Sequence, residues 1–220
     1  MKTIEHANEI RPLVHKVVTT TPVLDIHTHI YAPSFGPLLL WGLDELLTYH
    51  YLVAEVFRVA PIPYEQFWRM SKTGQADHIW KHLFIERSPV SEACRGVLTV
   101  LGSLGLDPST RDLAAFRRYF ASTTVEAYID TVFRLANIQS FIMTNDPFDD
   151  FERPVWEKGP GKDSRFQAAL RIDPLLLDWT KTAGRLKSWG YQVRGDLGPP
   201  DIEAVRRFLN DWIARMNPRY

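Results

Sequence analysis

The sharpest chemical signal in this 220-residue sequence is Asp25-Ile26-His27-Thr28-His29, in which two histidines are separated by one residue. On a strand, residues two apart point to the same face, so His27 and His29 would project together. At the C-terminal end of a barrel strand that face is the mouth, where active sites sit. Two imidazoles held side by side suit zinc or a similar divalent ion. The same alternation also arises when two core or surface histidines happen to fall two apart.

Further groups could do chemistry. In Tyr49-His50-Tyr51 an imidazole adjoins a phenol, which offers a general base and a phenolic acid or base together; the bland alternative is a half-buried aromatic patch. His78 and His82 fall four apart on a helical pattern, but Ile79 stands where a metalloprotease carries its glutamate, so they read as a solvated or hydrogen-bonded helix face. Arg171 and Asp173 close an apolar stretch, where the arginine could grip a carboxylate with two parallel hydrogen bonds or simply pair with the aspartate. Asp146, Asp149 and Asp150 read as a solvated loop, with Asn145 and Asp146 placed to rim a pocket.

The elements that must position these groups follow from pattern. Glu5 to Val18 has the composition of a short leading helix, and Pro22 to Ile30 reads as a buried strand. From Leu43 to about Asn137 the pattern is helical, punctuated by Pro61, Pro63, Pro89 and Pro108, with Thr110 placed to cap a run beginning at Arg111. Ser140–Thr144 and Phe166–Ile172 read as two more strands, separated by a polar loop from Asp149 to Asp163. Leu175–Trp189 and Ile202–Met216 read as helices. Short apolar strands alternating with helices predict a parallel α/β sheet.

Bulk properties exclude several classes of function. Lys plus Arg and Asp plus Glu both number 26, giving zero formal charge and no basic excess to draw nucleic acid or anionic membrane. Cys94 is the single cysteine, which excludes an internal disulfide, a zinc ribbon and a CxxC redox centre. The N-terminus carries charges where a signal peptide needs an apolar core, and no apolar run approaches the ~18–20 residues of a membrane span. The expected compartment is the cytoplasm.

Several segments together resemble the uronate isomerase family of the amidohydrolase superfamily. They are Asp25-Ile-His-Thr-His29, Asp44-Glu-Leu-Leu-Thr-Tyr-His-Tyr51, Trp80-Lys-His-Leu-Phe-Ile-Glu-Arg87, Ser91-Glu-Ala-Cys-Arg-Gly-Val97, Ile142-Met-Thr-Asn-Asp-Pro147 and Leu170-Arg-Ile-Asp-Pro174. They run in the same order from about residue 20 onward. The resemblance implies a (β/α)₈ barrel that interconverts aldose and ketose hexuronates, such as D-glucuronate and D-fructuronate, by moving a proton between C2 and C1. It implies that His27 and His29 are metal ligands, that His50 and Tyr51 serve proton transfer or hold the sugar, and that Arg171, with Asp173 beside it, binds substrate.

Three strands cannot close a barrel that typically needs ~250 residues. The order of motifs therefore predicts the N-terminal portion of one: a single partial-barrel domain with a leading helix and first strand over residues 1–30, a large helical insertion over 31–138, and the second and third strands with their helices over 139–220. The family pattern continues with another metal-binding histidine and a late aspartate, whereas no histidine follows Arg171 here. The expectation is a fragment with an incomplete zinc ligand set and little activity alone, completed by a C-terminal half or a second copy. Two other functions fit the residues: a metal-dependent hydrolase, which shares the paired histidines but has no need of His50, and a helical interaction module that has lost the chemistry.

Overall fold

The computed structural model describes residues 4–161 and 163–220. In chain order its regular elements are α1 (Ile10–Thr20), β1 (Val23–Asp25), α2 (Leu43–Leu47), α3 (His50–Val59), α4 (Tyr64–Arg69), α5 (Lys72–Ile79), α6 (Glu92–Ser103), α7 (Leu113–Ala121), α8 (Val125–Leu135), β2 (Ile138–Asn145), α9 (Glu152–Lys158), β3 (Phe166–Leu170), α10 (Asp173–Leu177), α11 (Trp179–Ser188) and α12 (Pro199–Met216). The chain is a helix-rich α/β protein that divides into two compact units, one of Met1–Leu39 with Val132–Tyr220 and the other of Leu40–Thr131. Among the described residues no helix is long and apolar enough to cross a membrane.

The first unit is built on a three-stranded sheet in the order β1-β2-β3, and both pairings are parallel, as the alternation of strands and helices predicts. The central strand β2 buries Ser140, Phe141, Ile142, Met143 and Asn145, the near-continuous burial of a parallel strand covered on both faces. Its register sets Asp25 opposite Phe141 and Asn145 opposite Leu170. Arg219 N–H donates to Ala168 O at 2.8 Å and Leu170 N–H to Tyr220 O at 3.0 Å, so the last two residues run along the other edge of β3.

Around the sheet, Phe208 is fully buried, with its ring 5.0 Å from Phe148, 5.6 Å from Tyr191 and 6.1 Å from Trp212. The Arg153 guanidinium lies 3.7 Å above Trp189, so this cation is held against an aromatic face at the edge of the core. Asp201, in the first turn of α12, accepts the backbone N–H groups of Arg194, Gly195 and Leu197 at 2.6, 2.8 and 2.9 Å. Burial opposes its charge, but those three donors outweigh it and hold the carboxyl below its usual range.

Several sequence expectations are corrected here. The first strand is short and exposed rather than a buried run from Pro22 to Ile30, because β1 is an edge strand and the Asp25 carboxylate accepts the His27 N–H at 3.0 Å, turning the chain out of the sheet. The polar loop after β2 contains α9, which starts where Asp149 Oδ1 accepts the N–H groups of Phe151 and Glu152 at 2.8 and 2.9 Å. The helix expected from Leu175 to Trp189 breaks into α10 and α11 at Asp178, whose non-helical backbone and side-chain bond to Lys181 N–H restart it. The leading helix is a 3₁₀ turn over Ala7–Glu9 followed by α1.

The second unit is helical throughout, and its core gathers Leu43, Leu47, Val56, Phe67, Ile79, Trp80, Leu101 and Phe116. A π-helical turn at Trp80–Ile85 continues α5 and lets Trp80 stack on Phe84 with ring centroids 4.6 Å apart. Arg117 ties α7 to α2 and α5 through Asp44 and Asp77, both at 2.8 Å. Thr110 does not cap the following helix. Arg111 adopts a left-handed conformation at φ 55°, and α7 is capped by Asp112, whose Oδ1 accepts Ala115 N–H at 2.9 Å. Cys94 is a buried free thiol, and burial pushes it above its ordinary value.

Replacing Phe208 with Ala removes the ring around which this cluster packs. The expected loss is about 3–5 kcal/mol of stability, read as a lowered urea midpoint with an unchanged slope.

Candidate functional site

Because all three strands run the same way, the turns after Asp25, Asn145 and Leu170 open at one end of the sheet. Ligands of parallel α/β sheets bind outside the carboxyl ends of the strands. In the first unit that end carries His27 and His29 after β1, Asn145 and Asp146 at the end of β2, and Arg171 and Asp173 after β3.

The two histidines sit beyond β1 on two successive side-chain-closed turns. Asp25 captures His27 N–H at 3.0 Å and Thr28 Oγ1 captures Ile30 N–H at 3.0 Å. Thr28 is buried and the flanking imidazoles are exposed, their centroids 5.5 Å apart and nearly perpendicular. The rings are therefore brought together by turns rather than by strand alternation. Among the described residues no group of three or more His, Cys, Asp or Glu is placed to hold a metal ion. The donor chemistry suits a divalent cation, but the pair supplies half of a tetrahedral set.

The end of β2 is densely hydrogen-bonded. Tyr31 Oη donates to Thr144 O at 3.0 Å, and Asn145 O accepts Arg171 N–H at 2.9 Å. Glu152, 5% exposed, accepts Asn145 Nδ2 at 2.7 Å and Asp146 N–H at 3.1 Å on the same oxygen. Burial pushes this carboxyl up to about 7; the two donors oppose the rise, and the nearby Asp149 and Asp146 add to it. Burial likewise raises Tyr31 to about 12, with Glu152 contributing and Arg171 opposing, and raises Asp146 against the pull of Phe148 N–H and Arg171. Arg171 donates from Nε to Asp173 Oδ2 at 3.1 Å, and its half-exposed guanidinium is held firmly charged mainly by that bond. The aspartates after β2 are not a uniformly solvated loop: Asp146 and Asp149 are partly buried and accept backbone N–H groups, while Asp150 is exposed and pairs with Arg185.

In the second unit, His50 opens α3 with Tyr49 as the preceding cap residue and Tyr51 following. The three rings form a local cluster, with His50 4.2 Å from both Tyr49 and Tyr51 between centroids. His50 and Tyr51 are exposed, the latter by 61%. His78 and His82 lie with ring centroids 4.5 Å apart, and His82 bonds Glu86 at 2.6 Å, a hydrogen-bonded helix face.

The chain superposes on the crystal structure of a uronate isomerase from Bacillus halodurans C-125 with a TM-score of 0.95, at 56% identity and over 99% of its own length. The chain resembles the N-terminal part of a uronate isomerase. It spans about half of that relative, 52% of its length. No protein-family model and no curated protein sequence matches it. The likeness to a uronate isomerase supports the resemblance read from the motifs.

Tyr31, Asn145 and Glu152 were the residues that sequence reading undervalued. Glu152 was hidden inside a segment whose Pro154, Gly159, Pro160 and Gly161 read as loop, although Asp149 three residues before it is an ordinary helix-capping signal. A cleft of 520 Å³ on the same unit is lined by Trp156, Phe166, Gln167 and Arg215 and holds none of the predicted site residues.

Glu152 makes the stability of this uronate isomerase relative depend on pH with a definite sign. Its folded pKa lies above the ordinary value of 4.5, so its contribution is complete below that value and is lost as pH rises through about 7. At ~1.4 kcal/mol per tenfold change, the loss across that window is about 3 kcal/mol. Thermal melts should show Glu152→Gln with a flatter pH dependence than the parent between these limits. Identical slopes would show that Glu152 is not the titrating group.

Proposed function

We propose that this chain takes part in interconverting aldose and ketose hexuronates, with D-glucuronate and D-fructuronate as the pair. The reading is carried by the 56% identity to a uronate isomerase spread over 99% of the chain. The finer architecture belongs to the same proposal: the sheet is the start of a (β/α)₈ barrel, and the helices between β1 and β2 are a large insertion between its first two strands.

The chemistry assigns work to particular side chains. An aldose becomes a ketose when the proton on C2 leaves as O1 gains one, giving an enediol, and a proton is then returned to C1 as the hydroxyl proton on O2 is given up. His50 and Tyr51 are the pair to which we assign acceptance and return of that proton, since an imidazole titrates near neutrality and a phenol can supply the partner acid. Arg171 suits the sugar carboxylate, because a guanidinium can grip both oxygens at once; Asp173 holds its Nε and so orients the fork. His27 and His29 would supply two ligands to a divalent metal, with zinc as the expected ion. A bound metal would polarise the carbonyl and hydroxyl oxygens. The described residues do not complete a ligand set.

With a metal held by two imidazoles, isomerase turnover by the 220-residue chain by itself should be low, and near-normal turnover of glucuronate in a coupled assay would overturn that expectation. Binding is the more sensitive test. D-Glucuronate should perturb the Arg171 resonances in NMR, and Arg171→Lys should weaken it by about tenfold, the worth of one charge-assisted hydrogen bond. Exchange of the sugar's C2 proton with solvent deuterium should fall further in His50→Gln and Tyr51→Phe. A hydrolase would be indifferent to His50, so unchanged exchange in that variant favours the metal-dependent hydrolase.

A further inference from the structure

The isomerase reading leaves Glu152 without a task, although it is a buried carboxyl group tied to the end of β2, whose last carbonyl accepts the Arg171 N–H. Among the described residues no cation is bonded to it: its hydrogen bonds come from the Asn145 side chain and the Asp146 backbone, and both converge on one oxygen. Asn145 is itself fully buried, and its backbone carbonyl accepts the Arg171 N–H at 2.9 Å. A continuous chain of bonds therefore runs from Glu152 through Asn145 to the backbone of the proposed carboxylate-binding arginine.

We propose that Glu152 is a positioning residue for Arg171, fixing the end of β2 from which the Arg171 backbone is suspended. The inference rests on reading Arg171 as the residue that receives the sugar carboxylate. The neighbours favour a neutral group. Asp146 and Asp149 stand on the connection out of β2, and the Tyr31 phenol, which senses both Glu152 and Arg171, comes from the turn after β1. Arg171 faces Tyr31 and Asp146 from the end of β3. The basic groups near α9 on the side of α12, Arg153 and Arg215, are engaged elsewhere, Arg153 with Glu157 at 2.9 Å and Arg215 over the Trp212 ring. Ionising Glu152 adds a third carboxylate charge beside Asp146 and Asp149, and a buried anion without a cation draws water or moves toward it. The ionised oxygen also pulls harder on the two N–H groups it accepts, so the Asn145 clamp shifts and carries the Arg171 backbone with it. The added negative charge also makes the site less hospitable to an incoming carboxylate.

The position near neutrality at which burial holds this carboxyl makes the effect measurable in ordinary buffers. NMR titration of the 220-residue chain should show the Asn145 side-chain amide, the Asp146 N–H and the Arg171 N–H moving together with one midpoint near 7, and Glu152→Gln should abolish that common transition. D-Glucuronate affinity, read from the Arg171 shifts, should fall by about fivefold as the parent passes through the midpoint, a fraction of a charge-assisted bond, and stay flat in the variant. A merely structural role would lower melting temperature without linking Arg171 to the titration. An Arg171 N–H that ignores the transition overturns the proposal, as does persistence of the transition in Glu152→Gln. If that variant fails to fold, a carboxyl-carbon titration of Glu152 in the parent decides by the same criterion, coincidence with the Arg171 N–H. If glucuronate perturbs nothing at any pH while the amides still titrate together, the positioning holds and the hexuronate reading fails.

Discussion

Parallel pairing of β2 with β1 on one side and β3 on the other constrains everything else in the first unit. Parallel strands send their carboxyl ends the same way, so residues separated by more than a hundred positions in sequence emerge at one end of one small sheet. His27 and His29 follow Asp25 there, Asn145 ends the central strand, and Arg171 follows Leu170. No local signal in any of these segments requires the others; the common direction of the strands does.

The central strand can occupy that position because it is apolar almost throughout, and the same burial makes its end costly to finish. Backbone groups leaving a buried strand need partners, and here they are met by side chains. Tyr31 serves Thr144, Glu152 serves Asp146, and Asn145 holds both Glu152 and the backbone of Arg171. Burial raises the Glu152 carboxyl toward neutrality, and among the described residues its hydrogen bonds come from amide donors and not from a cation, which leaves Arg171 to Asp173 and to solvent. Satisfying the backbone and tuning the charge at the strand ends are thus the work of the same few residues.

The likeness to a uronate isomerase bears on each unit separately. In the helical unit, α3 begins at His50 and sets three rings in contact within a single turn, a local arrangement that follows from adjacency on a helix start. In the sheet unit, the two imidazoles are held by turns built on Asp25 and Thr28, so their spacing is fixed by short side-chain-to-backbone bonds rather than by the pleat of a strand. The chemistry proposed for both rests on residue types that were conspicuous from the start.

How much was legible in the sequence divides along the range of the forces involved. The parallel sheet, the long helical stretch between its first two strands, the His27–His29 and His50–Tyr51 motifs and the Arg171–Asp173 pairing could all be read, because periodicity and adjacency act over a few residues. The early end of β1, the restart of the helix at Asp178 and the cap at Asp112 were misread by a few positions, each because one aspartate side chain competed for backbone N–H groups that pattern assigns to regular structure. Glu152 was invisible for a different reason. Its raised pKa and its hold on Asn145 exist only once the core has excluded water and brought the end of β2 against the start of α9. The sequence by itself determined which side chains could do chemistry; the tertiary structure decided which of them are buried, and burial is what sets the charge on a carboxyl.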